Sequence, residues 1–276
     1  MKKILIGALL LTGCALPVMA CTGISATAKD GGYVQARTIE WGDSYLPSQY
    51  VVIPCGHEMI SYTPKGMNGA KFRARYGVVG LSIVLKDFVV EGLNEAGLSA
   101  GLFYFPHYGN YPVYDAKQNT RTVADLQLVA WMLSQFSTIE EIKAAMQDIR
   151  VVPVDTTGAS STVHWRIGDA NGRQVVLEFV DGVPCFYENE ISVLTNSPGF
   201  PWQMTNLNNY VNLYPGGAEA HQLGGVTIFP FGAGSGFQGI PGDVTPPSRF
   251  VRAAFYKATA PPVSYTHLTL PTSDLV

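Results

Sequence analysis

A chain of 276 residues that is 47% hydrophobic and only 14% charged carries enough apolar side chain for one substantial core, which excludes a disordered polymer. Its net charge of −3, without any basic cluster, excludes a nucleic-acid partner. No apolar run after residue 20 is long enough to cross a membrane as a helix.

The first twenty residues read as an export signal. Lys2 and Lys3 supply a positive start, Ile4 to Leu11 an apolar stretch too short to span a bilayer, and Pro17-Val18-Met19-Ala20 a breaker with a small-residue cleavage motif. Cleavage after Ala20 makes Cys21 the first residue of a periplasmic or secreted chain. A second reading stays open. Leu11-Thr12-Gly13-Cys14 has the form of a lipoprotein box, and Val18-Met19-Ala20-Cys21 is a poorer version of it. Acylation at Cys14 predicts a lipid-anchored, non-catalytic protein, and acylation at Cys21 blocks its amine.

Strand signals come next in the chain. Thr22 to Ala28, Tyr33 to Glu40, Tyr50 to Ile53, Val78 to Val84 and Leu98 to Phe105 are rich in β-branched and aromatic residues, with Asp30-Gly31-Gly32 and Asn68-Gly69 as turns between them. Two helices follow. The first is predicted from Val123 through Leu126, Leu128, Val129, Trp131, Met132 and Leu133, with Thr122 to Asp125 as its start. The second opens on a capping box, Thr138-Ile139-Glu140-Glu141, and continues through Ile142, Ala145, Met146 and Ile149. Val163 to Ile167 and Val175 to Phe179 form a hairpin across Asp169-Ala170-Asn171-Gly172, and Ile191 to Leu194 is a short strand. Phe231 to Gly236 is a loop with no phosphate-binding context. A last helix runs from about Pro247 to Ala258. Strands, helices and strands again without a linker give an α+β layered domain from residue 21 to 261. Residues 262–276 break the pattern and resemble adaptor read-through rather than protein. The native chain is therefore expected to continue differently past about Pro261, and His267 carries no argument.

An exported chain keeps three cysteines after loss of Cys14, which suggests one pair and one free thiol. Cys55 with Cys185, leaving Cys21 free, is the economical assignment, with two unpaired buried thiols as the other. A cysteine at a chain terminus carries its own base. The α-amine titrates near ~8, so it can take the thiol proton and return it to a leaving amine. A nearby cation favours the thiolate, and donors aimed at the developing oxyanion complete such a site. His57, His107, His164 and His221 lack metal-ligand spacing. A papain-like protease lacks its cysteine motif, and a zinc amidase lacks its ligands.

Several motifs then occur together. Cys21-Thr22-Gly23 is followed by Ala36-Arg37-Thr38-Ile39-Glu40-Trp41 and by Glu91-Gly92-Leu93-Asn94-Glu95-Ala96-Gly97-Leu98. Leu194-Thr195-Asn196-Ser197-Pro198 and Pro247-Ser248-Arg249-Phe250-Val251-Arg252-Ala253 complete the set. In this order and spacing, from residue 21 to about 260, the chain resembles the choloylglycine hydrolase and penicillin V acylase family. The resemblance implies a four-layer αββα sandwich of the N-terminal-nucleophile type that hydrolyses linear carbon–nitrogen amides without a cofactor or metal. Carried over residue by residue, Cys21 is the nucleophile and its amine the base. Arg37 stabilises the thiolate and binds substrate. Glu40 stands where the family usually has Asp, contacting the terminal amine. Asn196 donates to the oxyanion, Tyr104 contributes its backbone N–H there, and Arg249 orders the charge network. Asn94 reads as a structural turn residue. Arg37 with Glu40, and Arg249 with Asp243, stay open as ordinary surface pairs. The expected partner is a small-molecule amide joining an apolar acyl part to a small polar amine: a conjugated bile salt, penicillin V or an N-acyl homoserine lactone. The resemblance leaves a homo-oligomer open.

Overall fold

The computed structural model describes residues 19–41, 45–154 and 162–261. Of the expected signal, residues 1–20, the first eighteen lie outside them, as does the segment 262–276, while Met19 and Ala20 open the first strand. In chain order the strands are β1 (Met19–Thr27), β2 (Tyr33–Trp41), β3 (Ser48–Ile53), β4 (Glu58–Ile60), β5 (Lys71–Arg73), β6 (Val78–Ile83), β7 (Val89–Asn94) and β8 (Ser99–Tyr104). After β9 (Thr122–Ala124) come helices α1 (Leu128–Gln135) and α2 (Ile139–Ala145). Then follow β10 (Arg150–Val152), β11 (Val163–Gly168), β12 (Gln174–Val180), β13 (Val183–Glu188) and β14 (Val193–Leu194). Helix α3 (Phe200–Asn206), the small hairpin β15 (His221–Leu223) and β16 (Val226–Ile228), and α4 (Pro246–Thr259) close the described chain.

Two antiparallel sheets carry the fold. The larger has the order β13-β12-β11-β8-β7-β6-β3, and the smaller the order β14-β1-β2. Helix α1 packs on β7 and β8, α4 packs on β1 and β14, and β1 faces β8, which makes the layers α, β, β, α. Every residue of β11 is buried and so are five of the six in β8, because both faces of the sheet's centre are covered. Gly23 marks how closely the sheets meet. A Cβ built there would lie 2.6 Å from the Phe103 ring and 2.9 Å from the Arg166 guanidinium, so only glycine fits.

Local chemistry explains most boundaries. Thr138 and Glu141 form the expected reciprocal capping box at α2. Asn94 satisfies its whole side-chain amide: Nδ2 donates to the carbonyls of Leu133 and Phe136, and Oδ1 accepts from Ala96 and Leu98. It ties the β7–β8 turn to the end of α1, which is a structural role. The predicted start of the first helix is corrected, because residues 122–124 are a strand parallel to β10. Their backbone is claimed from outside, with Thr122 O accepting from Ala70 N at 2.8 Å and Ala124 N donating to Ser61 Oγ at 2.8 Å. Tertiary pairing overrides the helical pattern there.

The economical cysteine pairing is also corrected. Cys55 and Cys185 are both free. Cys55 follows β3 at one edge of the seven-stranded sheet, and Cys185 lies in β13 at the other. At ~4.8 Å per strand the edges stand roughly 29 Å apart, far beyond the reach of a disulfide.

Candidate active site

Strand β1 delivers Cys21 and β2 delivers its neighbours. Antiparallel register sets Cys21 opposite Ile39, Gly23 opposite Arg37 and Ala20 opposite Glu40. Because side chains alternate, Cys21, Arg37 and Ile39 share one face of the strand pair, while Thr22, Thr38 and Glu40 share the other. The Cys21 face looks toward the larger sheet, and the thiol residue is 7% exposed.

Asn196, just past β14 and 2% exposed, is the hub on the Cys21 side. Its Oδ1 accepts from the Cys21 N–H at 2.9 Å and from Arg249 Nη2 at 2.8 Å. Both partners only donate, so the orientation of the amide is fixed. Its Nδ2 donates to the Tyr104 carbonyl at 2.7 Å, and a second Nδ2 proton remains for an oxygen in the site. Arg249 reaches in from the first turns of α4. It donates to the Cys21 carbonyl, to Thr22 Oγ1 at 2.6 Å and to the Val244 carbonyl at 3.0 Å. Burial lowers its pKa, and the negative charges of Glu40 and Cys21 oppose that shift. Asp243 is instead occupied by Ser248 and Thr245, so the surface-pair reading of Arg249 does not hold.

Arg37 is held from the inner side. Its Nη1 donates to the carbonyls of Leu102 and, at 3.3 Å, Val90, and meets Glu91 Oε2 at 3.4 Å. Its guanidinium lies 4.0 Å over the Phe103 ring. Glu91 therefore replaces Glu40 as its carboxylate partner, and it also pairs with the fully buried Arg166 at 2.9 Å. Gly101 makes this possible, since a Cβ there would sit 2.0 Å from Glu91 Oε2. Glu40 is exposed and acts on the cluster through its charge on Arg249.

A second buried group supports the hub. His164 Nε2 donates to the Thr195 carbonyl at 3.0 Å, since a carbonyl can only accept. His164 Nδ1 meets Glu178 Oε1 at 3.0 Å, and the same oxygen accepts from Phe200 N at the start of α3. This chain fixes the residue next to Asn196. Arg166, His164 and Glu178 carried no local signal in sequence, because their partners lie between 14 and 142 residues away, and Glu91 stood in a motif that did not disclose its arginine partners.

Cys21, Arg37, Glu40 and Tyr104 line one cavity of about 330 Å³. Ile39, Ile83, Val90, Leu102 and Val163 make most of its wall apolar, and Asp125 stands among them. A buried thiol, two arginines and an amide held by obligate donors thus lie beside an apolar cavity in an αββα frame, the fold of the N-terminal-nucleophile hydrolases. The sequence profile of the linear amide C–N hydrolases, choloylglycine hydrolase family, matches residues 21–270, beginning at Cys21 and ending inside the anomalous segment. The chain belongs to that family and is a linear amide hydrolase. It is 32% identical over 241 residues to a bile salt hydrolase/transferase of Clostridium perfringens, covering 86% of this chain and 71% of that protein. The crystal structure of a mutant conjugated bile acid hydrolase from Clostridium perfringens matches with a TM-score of 0.74 at 30% identity, over 86% of this chain and 72% of the other. The fold is shared as well with penicillin V acylase from Agrobacterium tumefaciens, at a TM-score of 0.70 and 24% identity, over 92% and 69% of the two chains.

Proposed function

We propose that the chain is exported, loses residues 1–20 and becomes an N-terminal cysteine amidase for substrates that join an apolar acyl group to a small polar amine, with conjugated bile salts and penicillin V as the leading classes. The carrying observation is the convergence of Cys21, Arg37 and Tyr104 on one apolar cavity, with Asn196 bonded to Cys21 behind it. Ala20 supports the cleavage step. It is buried and lines the same cavity, so its removal would both free the amine and open space beside the thiol. In the uncleaved chain the Cys21 nitrogen is a peptide N–H and has no basicity to offer. After cleavage it is an amine that can accept the thiol proton.

Chemistry then follows from the geometry. The thiolate, stabilised by the Arg37 charge, attacks the carbonyl carbon, and the oxygen takes negative charge. The spare Nδ2 proton of Asn196 and the Tyr104 backbone N–H are the donors assigned to it. Collapse breaks the carbon–nitrogen bond, the α-ammonium protonates the leaving amine, and a thioester remains. Water, deprotonated by the same amine, releases the acid and restores the thiol. Glu40 sits across the strand pair from Ala20, which places its carboxylate near the amine that cleavage would create. The apolar wall receives the acyl group, and its cavity falls at the small end of the usual range for ligand sites.

Intact mass and N-terminal sequencing of the exported protein test this reading, together with amine release by the parent and by Cys21→Ala. An unmodified Cys-Thr-Gly terminus and a loss of activity of at least ~10⁴-fold in the variant are expected. An acylated Cys14 or a blocked Cys21 without amine release would replace it with the tethered, non-catalytic lipoprotein, and undiminished activity in Cys21→Ala would take Cys21 out of the chemistry.

A further inference from the structure

The apolar cavity beside Cys21 has a buried carboxyl, Asp125, among its lining residues. Asp125 lies there between Leu126, Pro153, Val154 and Val163, and it is only 3% exposed. Its Oδ1 is occupied by two backbone donors, Leu126 N at 2.8 Å and Val154 N at 3.2 Å. Both bonds converge on one oxygen. Among the described residues no hydrogen bond reaches Oδ2, which is left for whatever fills the cavity, with the Tyr111 hydroxyl close by. Tyr111 is itself tied to the Val163 backbone, accepting from its N–H at 2.9 Å and donating to its carbonyl at 3.2 Å. The carboxyl is therefore anchored and aimed.

A buried carboxyl facing an apolar space is costly unless something donates to it. Among the described residues that line the cavity Arg37 is the one basic side chain, and it bonds to Glu91 and the carbonyls of Val90 and Leu102. Among the described residues no ion pair or hydrogen bond joins Arg37 to Asp125. Resting on the amidase reading above, we propose that Asp125 is a specificity residue for the acyl half of the substrate, accepting a hydrogen bond from a hydroxyl or N–H carried on an otherwise apolar acyl group. Burial, above all, pushes this carboxyl up to about 7, so its ionised form gains most from a donor supplied by the substrate.

Asp125→Asn is the informative variant. The asparagine Oδ1 keeps both backbone bonds and the shape, while the atom toward the cavity changes from an acceptor to a donor. The probes are phenoxyacetylglycine and its ring-hydroxylated and ring-methoxylated counterparts at the ortho, meta and para positions. The parent enzyme is expected to prefer hydroxyl over methoxy in kcat/KM by on the order of tenfold or more at one ring position. In Asp125→Asn that ratio falls to near one or inverts, because the methoxy oxygen can accept from Nδ2. A second signature is pH. Tyr111 lies against the carboxyl, and Cys21, Arg37 and Glu40 face it across the cavity. Ionisation of Cys21 acts equally on both substrates and cancels in the ratio. The hydroxyl preference should therefore rise from about pH 6 to about pH 8 in the parent and stay flat in the variant.

Affinity of the corresponding free acids for Cys21→Ala and for Cys21→Ala with Asp125→Asn, measured by calorimetry, reads the same preference without turnover. If no amide is cleaved but the acids show the preference and its loss, the amidase reading fails and this one stands. If amides are cleaved but hydroxyl and methoxy forms are never distinguished, or the preference survives unchanged in Asp125→Asn, this inference is overturned.

Discussion

Arg249 and Arg37 flank the same two strands from opposite faces, and their partners differ in kind. Arg249 bonds to the reacting apparatus itself: the Cys21 carbonyl, the Asn196 amide oxygen and Thr22. Arg37 bonds to the frame behind it, through the carbonyls of Val90 and Leu102 and the Glu91 carboxylate, and it is stacked on Phe103. The first arrangement spends the guanidinium's donors on holding the site in place. The second leaves Arg37 lining the cavity, where the proposed mechanism develops charge on a thiolate or an acyl oxygen. On the proposed mechanism, Arg249 from α4 serves assembly and Arg37 from β2 serves chemistry.

That contrast can be broken experimentally. Arg249→Leu would leave the Cys21 carbonyl and the Asn196 oxygen each short of a donor, in a buried setting. The expected cost is about 3 kcal/mol or more of stability together with a fall of ~10³-fold or more in kcat/KM, read by thermal unfolding and by amine release. Arg37→Met should separate the two effects. Glu91 keeps Arg166 as its partner, so the unfolding midpoint should move much less while activity falls on the order of 10²-fold. Equal destabilisation by both substitutions would erase the distinction.

Smaller effects sharpen the contrast between buried and exposed charge. The Asp125 carboxyl titrates at about 7 in the folded chain against 3.8 ordinarily, with burial the largest cause. Within that window the folded state holds more proton than the unfolded one. Stability therefore falls as pH rises from 3.8 to about 7, then levels off. Asp125→Asn lacks this titration, so its stability should gain on the parent by on the order of 2 kcal/mol across the window, measured by denaturant unfolding at several pH values. Glu188 is the exposed counterpart. Arg173, with Lys143, holds its carboxyl down to about 2, yet the pair is half in solvent. Here stability is present at neutral pH and lost on acidification toward about 2. Glu188→Gln should change it by less than ~1 kcal/mol at neutral pH, and added salt should shrink the difference.

Much of the frame was legible because its strands announce themselves. Thr22 to Ala28, Tyr33 to Glu40 and the hairpin across Asp169-Gly172 follow from β-branched runs and turn chemistry, and each matches a strand within a few residues. Strand β13 escaped because Pro184 disguises it, a residue tolerated there since β13 is a sheet edge. Val123 was read as helical because its spacing fits a helix, whereas its partner Val151 is set by a parallel bridge no local window contains. The site divides in the same way. Cys21, Arg37, Glu40, Asn196 and Arg249 stand in short motifs with chemical meaning, and Tyr104 came only through the family resemblance. Glu91, Arg166, His164, Glu178 and Asp125 acquire theirs only when strands distant in sequence come together.

Gly23 carries one more consequence. The Phe103 ring occupies the space a side chain would need at that position, two residues along the strand from the thiol. A single methyl group there would act as a wedge between the sheets, tilting β1 and with it the nucleophile relative to Tyr104 and the cavity. The reactive geometry of this domain is in that sense a gauge of its packing thickness, set to within the width of one carbon atom.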